Sequence, residues 1–422
     1  MTPSHRNSES SYVGRVGVEQ PGYETEGGRA ADIYAARALR DFGDGFAAVL
    51  LPVYLASIGL GPLEIGVVAT SALLGSALLT LGIGFLAARA DRRSLLLAAS
   101  GLMIATGVAY TQSSTYAAVL LVAFLGTINP SSGSVSIFVP LEHAVLSRLV
   151  ADADRTKAFA RYSLLGALAA AFGALAATTP DFLVTIGISR LTALKAMFVL
   201  YAFLGVVGGL VYARIPAGPK TSPQDRPAAA LGPSRVIVYK LAALFSIDAF
   251  AGGFAVQSLV ALWLFSKFGL SLSAAGAFFF WSGVLSAVSF PVAAWLSRRI
   301  GLVNTMVFTH IPSSICLILA ALVPNLYVSL AFLLVRAALS QMDVPTRSSY
   351  VMAVVTPRER PAAASVTSVP RSLAAAASPA IAGALFAVGF EAWPLVICGA
   401  LKIVYDLSLL WAFRHIKPPE ER

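Results

Sequence analysis

Charge is scarce in this sequence. Of its 422 residues, 12% are Asp, Glu, Lys or Arg and 57% are apolar, whereas a soluble globular chain carries roughly 25% charged residues. The charges also fall in clumps: residues 94–141, 300–335 and 268–297 run 48, 36 and 30 positions without one. A bilayer-spanning helix needs only about 20 apolar residues, so such stretches exclude a soluble enzyme, a nucleic-acid binder and a secreted disulfide scaffold. Cysteine is scarce too. Cys316 and Cys398 both lie in apolar segments and imply no disulfide framework. Residues 1–35 are polar, with Glu9, Glu19, Glu24 and Glu26 and no apolar core, so no cleaved leader is expected and a disordered tail is. No glycine loop ending in Gly-Lys-Ser/Thr is present, which leaves ATP-driven pumping without a site. No cofactor and no resident metal are expected.

What is there is a polytopic, all-α membrane protein. Charges, Pro and Gly punctuate the apolar runs into twelve expected helices, at 36–58, 63–88, 94–111, 115–138, 158–178, 191–213, 237–265, 273–297, 302–322, 326–347, 364–388 and 392–414. These segments lack the strict alternation of a barrel strand, so helices are expected. With a cytoplasmic N-terminus, 26 of the Lys and Arg residues fall on the cytoplasmic side. Three fall outside (Arg190, Lys195, Lys267) and two, Arg336 and Lys402, within the membrane. The positive-inside rule therefore predicts both termini in the cytoplasm, and the cell membrane is the expected location.

The chain also repeats itself. A shift of 205 residues superposes Pro140 on Pro345, Arg155 on Arg360, Ser163 on Ser368 and Leu168-Ala-Ala-Ala171 on Leu373-Ala-Ala-Ala376. A shift of 210 pairs Gly59-Leu60 with Gly269-Leu270 and Arg89 with Arg299, and a shift of 208 pairs Gly45-Phe46-Ala47 with Gly253-Phe254-Ala255. Alanine matches arise by chance in this composition, but Pro and Arg at one fixed offset do so rarely. The expected organisation is two pseudo-symmetric six-helix bundles, 36–213 and 237–414. A proline-rich cytoplasmic loop (214–236) joins them, and a short cytoplasmic tail (415–422) ends the chain.

Between the second and third helices stands Gly84-Phe-Leu86-Ala-Ala-Arg89-Ala-Asp91-Arg92-Arg93. It resembles the Gly-x-Leu-Ala-Asp-Arg-x-Gly-Arg-Lys signature of the major facilitator superfamily, with Ala88 in place of the signature Asp and Asp91 in place of its second Gly. A weaker copy is Leu296-Ser-Arg298-Arg299-Ile-Gly301, and Arg336 with Gln341 is similar to the family's Arg-containing helix motif, though in the other half. The resemblance covers essentially the whole membrane part. It implies the fold of that superfamily, a central cavity lined by helices 1, 4, 7 and 10, and alternating access without covalent chemistry.

Ionisable groups in hydrocarbon cost about 2.5–3.5 kcal/mol even on lenient scales, so each needs a partner, water or a task. Asp248 and Arg336 have no opposite charge within four residues, and each lies ten or so residues, roughly 15 Å, into its helix. Asp248 is the first candidate for proton or cation coupling, tuned by Arg336. The alternative is a permanent buried salt bridge. Asp41 and Asp44 open helix 1 four residues after Arg37 and Arg40, a spacing that suits either intrahelical pairing or proton coupling. Lys402 and Asp406 are read as an intrahelical pair and His310 as a packing residue. Cavity candidates are Asn129 (before Pro130), Gln257 and Gln341, with Phe280 and Trp281 as π-faces for a solute. Glu142, Asp343 and Arg347 sit at helix ends where Gly84, Arg89, Arg92, Arg93, Arg298 and Arg299 emerge. They are candidates for a cytoplasmic gate, against plain topological anchoring.

The resemblance thus implies a secondary transporter, not an enzyme. Its expected partners are a small-molecule solute, protons and the lipid bilayer. No nucleic acid is expected, and the protein is expected to be a monomer. Proton-coupled efflux suits the sparsely polar centre; uptake of an organic anion gripped by Arg336 is the alternative. A polytopic enzyme lacks room in the short, nearly uncharged outer connections. A non-transporting receptor would be expected to carry a longer cytoplasmic extension.

Overall fold

The computed structural model describes residues 23–86, 90–131, 136–150, 154–216, 231–356 and 359–416. Among them every regular element is helical. In chain order these are α1 (Tyr23–Ser57), α2 (Pro62–Leu86), α3 (Arg92–Gln112), α4 (Tyr116–Leu125), α5 (Phe138–Leu149), α6 (Arg155–Ala176), α7 (Thr179–Thr185) and α8 (Arg190–Ala213). The second half has α9 (Arg235–Gly253), α10 (Gln257–Phe268), α11 (Leu272–Ile300), α12 (Leu302–Leu322), α13 (Leu326–Ser340), α14 (Asp343–Ala353), α15 (Arg360–Ala387) and α16 (Trp393–Phe413). Among the described residues, ten helical segments are long and apolar enough to cross a membrane. The charged α1 and the interrupted pair α4–α5 complete twelve crossings. Capping marks several ends: Asp91, Thr115, Ser189, Ser271 and Asn325 each accept a backbone N–H of the first turn.

Three departures from the expected helices have local causes. The fourth crossing is not one helix over 115–138. It stops at Gly126, and α5 starts only at Phe138. Pro130 has no N–H and disfavours helix at Asn129, whose Oδ1 instead accepts the N–H of Ser131 at 2.8 Å. The seventh is interrupted between Gly253 and Gln257, and the tenth between Ser340 and Asp343, where Pro345 enters the first turn of α14. At the start of the chain, α1 is helical from Tyr23, inside the stretch read as tail. Ala30, Ile33 and Ala36 place a buried face there at helical spacing; residues 1–22 lie outside the described residues.

Each half packs as its own bundle, α1 against α6 and α8 in the first and α9 against α15 and α16 in the second. The halves meet where α2 crosses α15 and α6 crosses α11. At the α2–α15 crossing a Cβ on Gly66 would stand 2.5 Å from the Pro379 carbonyl oxygen and 2.8 Å from Gly383 Cα. Only glycine permits that approach. Gly66→Ala should force the helices apart, so spin labels at Leu60 and Phe390 are expected to gain a longer-distance population; an unchanged distribution would show that the contact carries no weight.

The hydrogen bonds between halves lie on the side away from the chain ends. Ser258 N–H donates to the Pro130 carbonyl at 3.1 Å, Ala380 N–H to Thr70 Oγ1 at 3.0 Å, and Ser273 donates its N–H and hydroxyl to Asp181 at 3.0 and 2.8 Å. On the side carrying the chain ends, no hydrogen bond or ion pair among the described residues joins the halves.

Glu359, the residue before α15, ties that helix to the chain entering α9. It accepts the N–H groups of Gly232 (2.6 Å) and Ser234 (3.4 Å) and the hydroxyls of Thr356 (2.7 Å) and Ser234 (2.8 Å). The Thr356 and Ser234 hydroxyls, with the two backbone N–H groups, hold its carboxyl down at about 2 from the ordinary 4.5. A depressed carboxylate stabilises the fold above its ordinary titration range and loses that contribution as pH falls through the lowered value. The thermal-stability gap between wild type and Glu359→Gln is therefore expected to be constant above about pH 5 and to close towards pH 2. A gap that does not vary with pH would refute this role.

Candidate functional site

Each half-bundle encloses a network of charges. In the first half α1 supplies Arg37, Arg40, Asp41 and Asp44 along one buried face. Arg37 Nε lies 2.6 Å from Asp41 Oδ2, and one Arg40 nitrogen lies 2.9 Å from Asp41 Oδ1 and 3.6 Å from Asp44 Oδ2. The other Arg40 nitrogen donates to Glu142 of α5 at 3.1 Å. Tyr162 of α6 and Tyr212 of α8 both donate their hydroxyls to Glu142. Tyr201 of α8 donates to Asp44 Oδ1 at 3.0 Å and meets Thr127 at the same distance. Phe138 offers its ring to the Arg40 guanidinium and Tyr162 to that of Arg37. A small cavity lined by Arg40, Ser100, Met103, Phe138, Gly205 and Tyr212 adjoins the network. Three carboxylates thus share two guanidiniums, all but Arg37 under 4% exposed, and Asp44 is the least tightly held.

The second network centres on Asp248 of α9. Its oxygens contact Lys402 Nζ of α16 at 2.6 Å and an Arg347 nitrogen of α14 at 3.1 Å, and that same nitrogen is 3.0 Å from Asp343. His310 of α12 places Nδ1 3.0 Å from Asp406 and Nε2 3.4 Å from Lys402 Nζ. Three expectations change here. Asp248 is bound by Arg347 and Lys402 rather than by Arg336. Lys402 pairs with Asp248, which faces it across the α9–α16 contact, and not with Asp406 on its own helix. Asp406 is instead taken by His310, which is part of the ionic network and not plain packing.

Arg336 is half-buried and, among the described residues, has no ion-pair partner; its carbonyl accepts the Ser313 hydroxyl at 3.3 Å. Gln257 opens α10 and Gln341 closes α13, both half-buried, at the breaks of the seventh and tenth crossings. Asn129 is buried at the break of the fourth. Phe280 does not join these groups, since it packs on Phe172 across the α6–α11 contact, with ring centroids 5.2 Å apart. Trp281 belongs to an exposed apolar stripe with Val288, Val292 and Trp295, at the helical spacing of an outward, lipid-directed face.

Of the gate candidates, Arg89 lies outside the described residues and Gly84 falls in the last turn of α2. Arg92 and Arg93 open α3, Arg298 Nε donates to its own helix at Ala294, and Arg299 stacks on Trp295 of the same helix. Glu142, Asp343 and Arg347 each stay within their own half.

The halves share more than position. The offset of 208 that aligns the first and seventh helices carries Arg40 onto Asp248, and the offset of 205 carries Glu142 onto Arg347. The Arg40–Glu142 pair of one half therefore recurs as Asp248–Arg347 in the other with its charges exchanged. A search for identical residues passes over this repeat, whereas a search for conserved ionisability at the same offset finds it. Tyr162, Tyr201 and Tyr212 gave no such signal, because a tyrosine at a buried helical position looks like packing.

These features define a duplicated helical bundle of the membrane. The chain belongs to the Major Facilitator Superfamily, whose family model matches residues 33–338 and 241–422. It is an integral membrane protein with that family's transporter fold. It is 24% identical over 416 residues to an uncharacterized membrane protein of Saccharomyces cerevisiae, YJR124C, covering 90% of this chain and 93% of the yeast protein. Its fold is similar to the inward-open xylose transporter XylE of E. coli (TM-score 0.73, 14% identity, 93% and 98% of the two chains). It is also similar to a bacterial homologue of the human lysosomal transporter Spinster in its inward-facing, occupied conformation (TM-score 0.69, 16% identity, 93% and 97%).

Proposed function

We propose that this protein is a proton-coupled secondary transporter that moves a small organic solute by alternating access, with Asp44 as the coupling carboxylate. The observation that carries the reading is the imbalance around α1, three buried carboxylates on two guanidiniums. An uncompensated buried charge is costly, and one bound proton removes the excess. Asp248, the first candidate from sequence, is less suited, since each of its oxygens already meets a cation. The distribution of Lys and Arg supports cytoplasmic termini. Arg92, Arg93, Arg298 and Arg299 stand at the helix ends of the cytoplasmic side near Glu142, Asp343 and Arg347, which are buried in their own half-bundles; contacts made by the arginines when that side closes are worth about 0–1 kcal/mol each and act only in concert.

We take the cargo to be amphipathic, moved outward by a monomer; the few polar side chains within the membrane segments favour the first of these. A second reading, uptake of an organic anion, is favoured by Arg336, a half-buried guanidinium with no ion-pair partner among the described residues. The test is proton movement in proteoliposomes while a fractionated metabolite and drug library is added. Solute-dependent proton flux is expected, and its sign separates efflux from uptake; solute movement without any proton flux would refute the coupling.

A further inference from the structure

We propose that His310 is a proton-binding site of the second half-bundle, whose uptake of a proton at Nε2 displaces Lys402 from Asp248. A lysine ammonium donates hydrogen bonds and accepts none. With Lys402 Nζ 3.4 Å from Nε2, that nitrogen is the acceptor, and Nδ1 carries the hydrogen donated to Asp406 at 3.0 Å. On this reading the ring is the neutral imidazole in one tautomer. A proton from water on Nε2 turns this contact into cation against cation, while Nδ1–H to Asp406 strengthens as a charge-assisted bond. Lys402 is the member free to move: it is 13% exposed, whereas His310 and Asp406 are 4% and 0% exposed. Its departure leaves Asp248 with Arg347 alone and loosens α16 from α9.

The surroundings of the ring leave this as its one new contact to break. From α16 come Lys402, Tyr405 and Asp406, the Tyr405 ring meeting the imidazole edge-on. Asp248 faces it from α9, through Lys402. Beyond Asp248 lie Asp343 and Arg347 of α14 and Arg371 of α15, whose Nε has no hydrogen-bond partner. Arg336 stands on the neighbouring α13, and Arg298 and Arg299 lie in the last turn of α11. Counted with Arg371, three carboxylates balance three cations while His310 is neutral, so the added proton is the charge that upsets the balance. This site goes beyond the reading of Asp44. It lies in the other half and its test needs no solute, so either can fail without the other.

The experiment uses the full-length protein with 15N-labelled imidazoles, and His310→Gln identifies the resonance among the four histidines. At about pH 8 the expected signal is a neutral ring protonated at Nδ1, and on acidification Nε2 gains its proton. Over the same range hydrogen exchange around Lys402 should rise by roughly tenfold beyond its intrinsic pH dependence. That rise is expected to vanish in His310→Gln. A wild-type ring that stays neutral down to about pH 5 overturns the proposal, as does an exchange response that persists in His310→Gln.

Discussion

Replacing Asp44 with Asn is expected to separate solute movement from the proton gradient. A gradient of one pH unit supports roughly tenfold accumulation when one proton accompanies each solute; in the variant, accumulation should fall to the level of simple equilibration while exchange of labelled for unlabelled solute continues. The fold should tolerate the change. Removing Asp44 leaves Asp41 and Glu142 against Arg37 and Arg40, two acids for two bases, with every short contact intact. Asp41→Asn is the contrasting case, because it strips contacts at 2.6 and 2.9 Å from two buried guanidiniums, and loss of folded protein is expected. If Asp44→Asn still accumulates solute against a gradient, the coupling group lies elsewhere.

A large stability effect is also expected at Arg347. One of its nitrogens serves both Asp248 and Asp343, and its guanidinium lies over the Phe245 ring. Arg347→Met leaves Asp343 without its partner and Asp248 with Lys402 alone. Breaking a buried ion pair from one side costs about 3–5 kcal/mol, since the remaining charge has neither water nor partner. Adding Asp343→Asn should recover a large part of that loss, because the amide needs no counter-charge. Thermal unfolding in detergent measures both. If the single variant lies within about 1 kcal/mol of wild type, or the double variant is no better, this network does not hold the second half together.

The contrast between these two sites reflects what each half lacks. Asp248 looked like the isolated charge when neighbours were sought on its own helix, and Asp44 looked paired because Arg40 stands four residues before it. In space the ranking reverses. Lys402 and Arg347 arrive at Asp248 from α16 and α14, while Arg40 turns most closely to Asp41 and Glu142 and leaves Asp44 at 3.6 Å. Spacing along one helix reports intrahelical contacts, but buried charges in a bundle are mostly satisfied between helices. The same limit made His310 look like packing and Phe280 and Trp281 like cavity residues.

The amino-acid sequence alone was enough for the class of molecule, the crossings and the duplication, because each rests on a local or periodic property. Hydrocarbon thickness sets the length of apolar runs, prolines and glycines mark breaks such as Asn129-Pro130, and a fixed offset survives in any register. Tertiary structure alone decided which ions meet. That depends on where a side chain on one helix stands relative to another more than 100 residues away, as Arg40 does to Glu142 and Lys402 to Asp248. That relation is set by helix packing at glycine crossings such as Gly66–Gly383, and no pattern within a single segment encodes it.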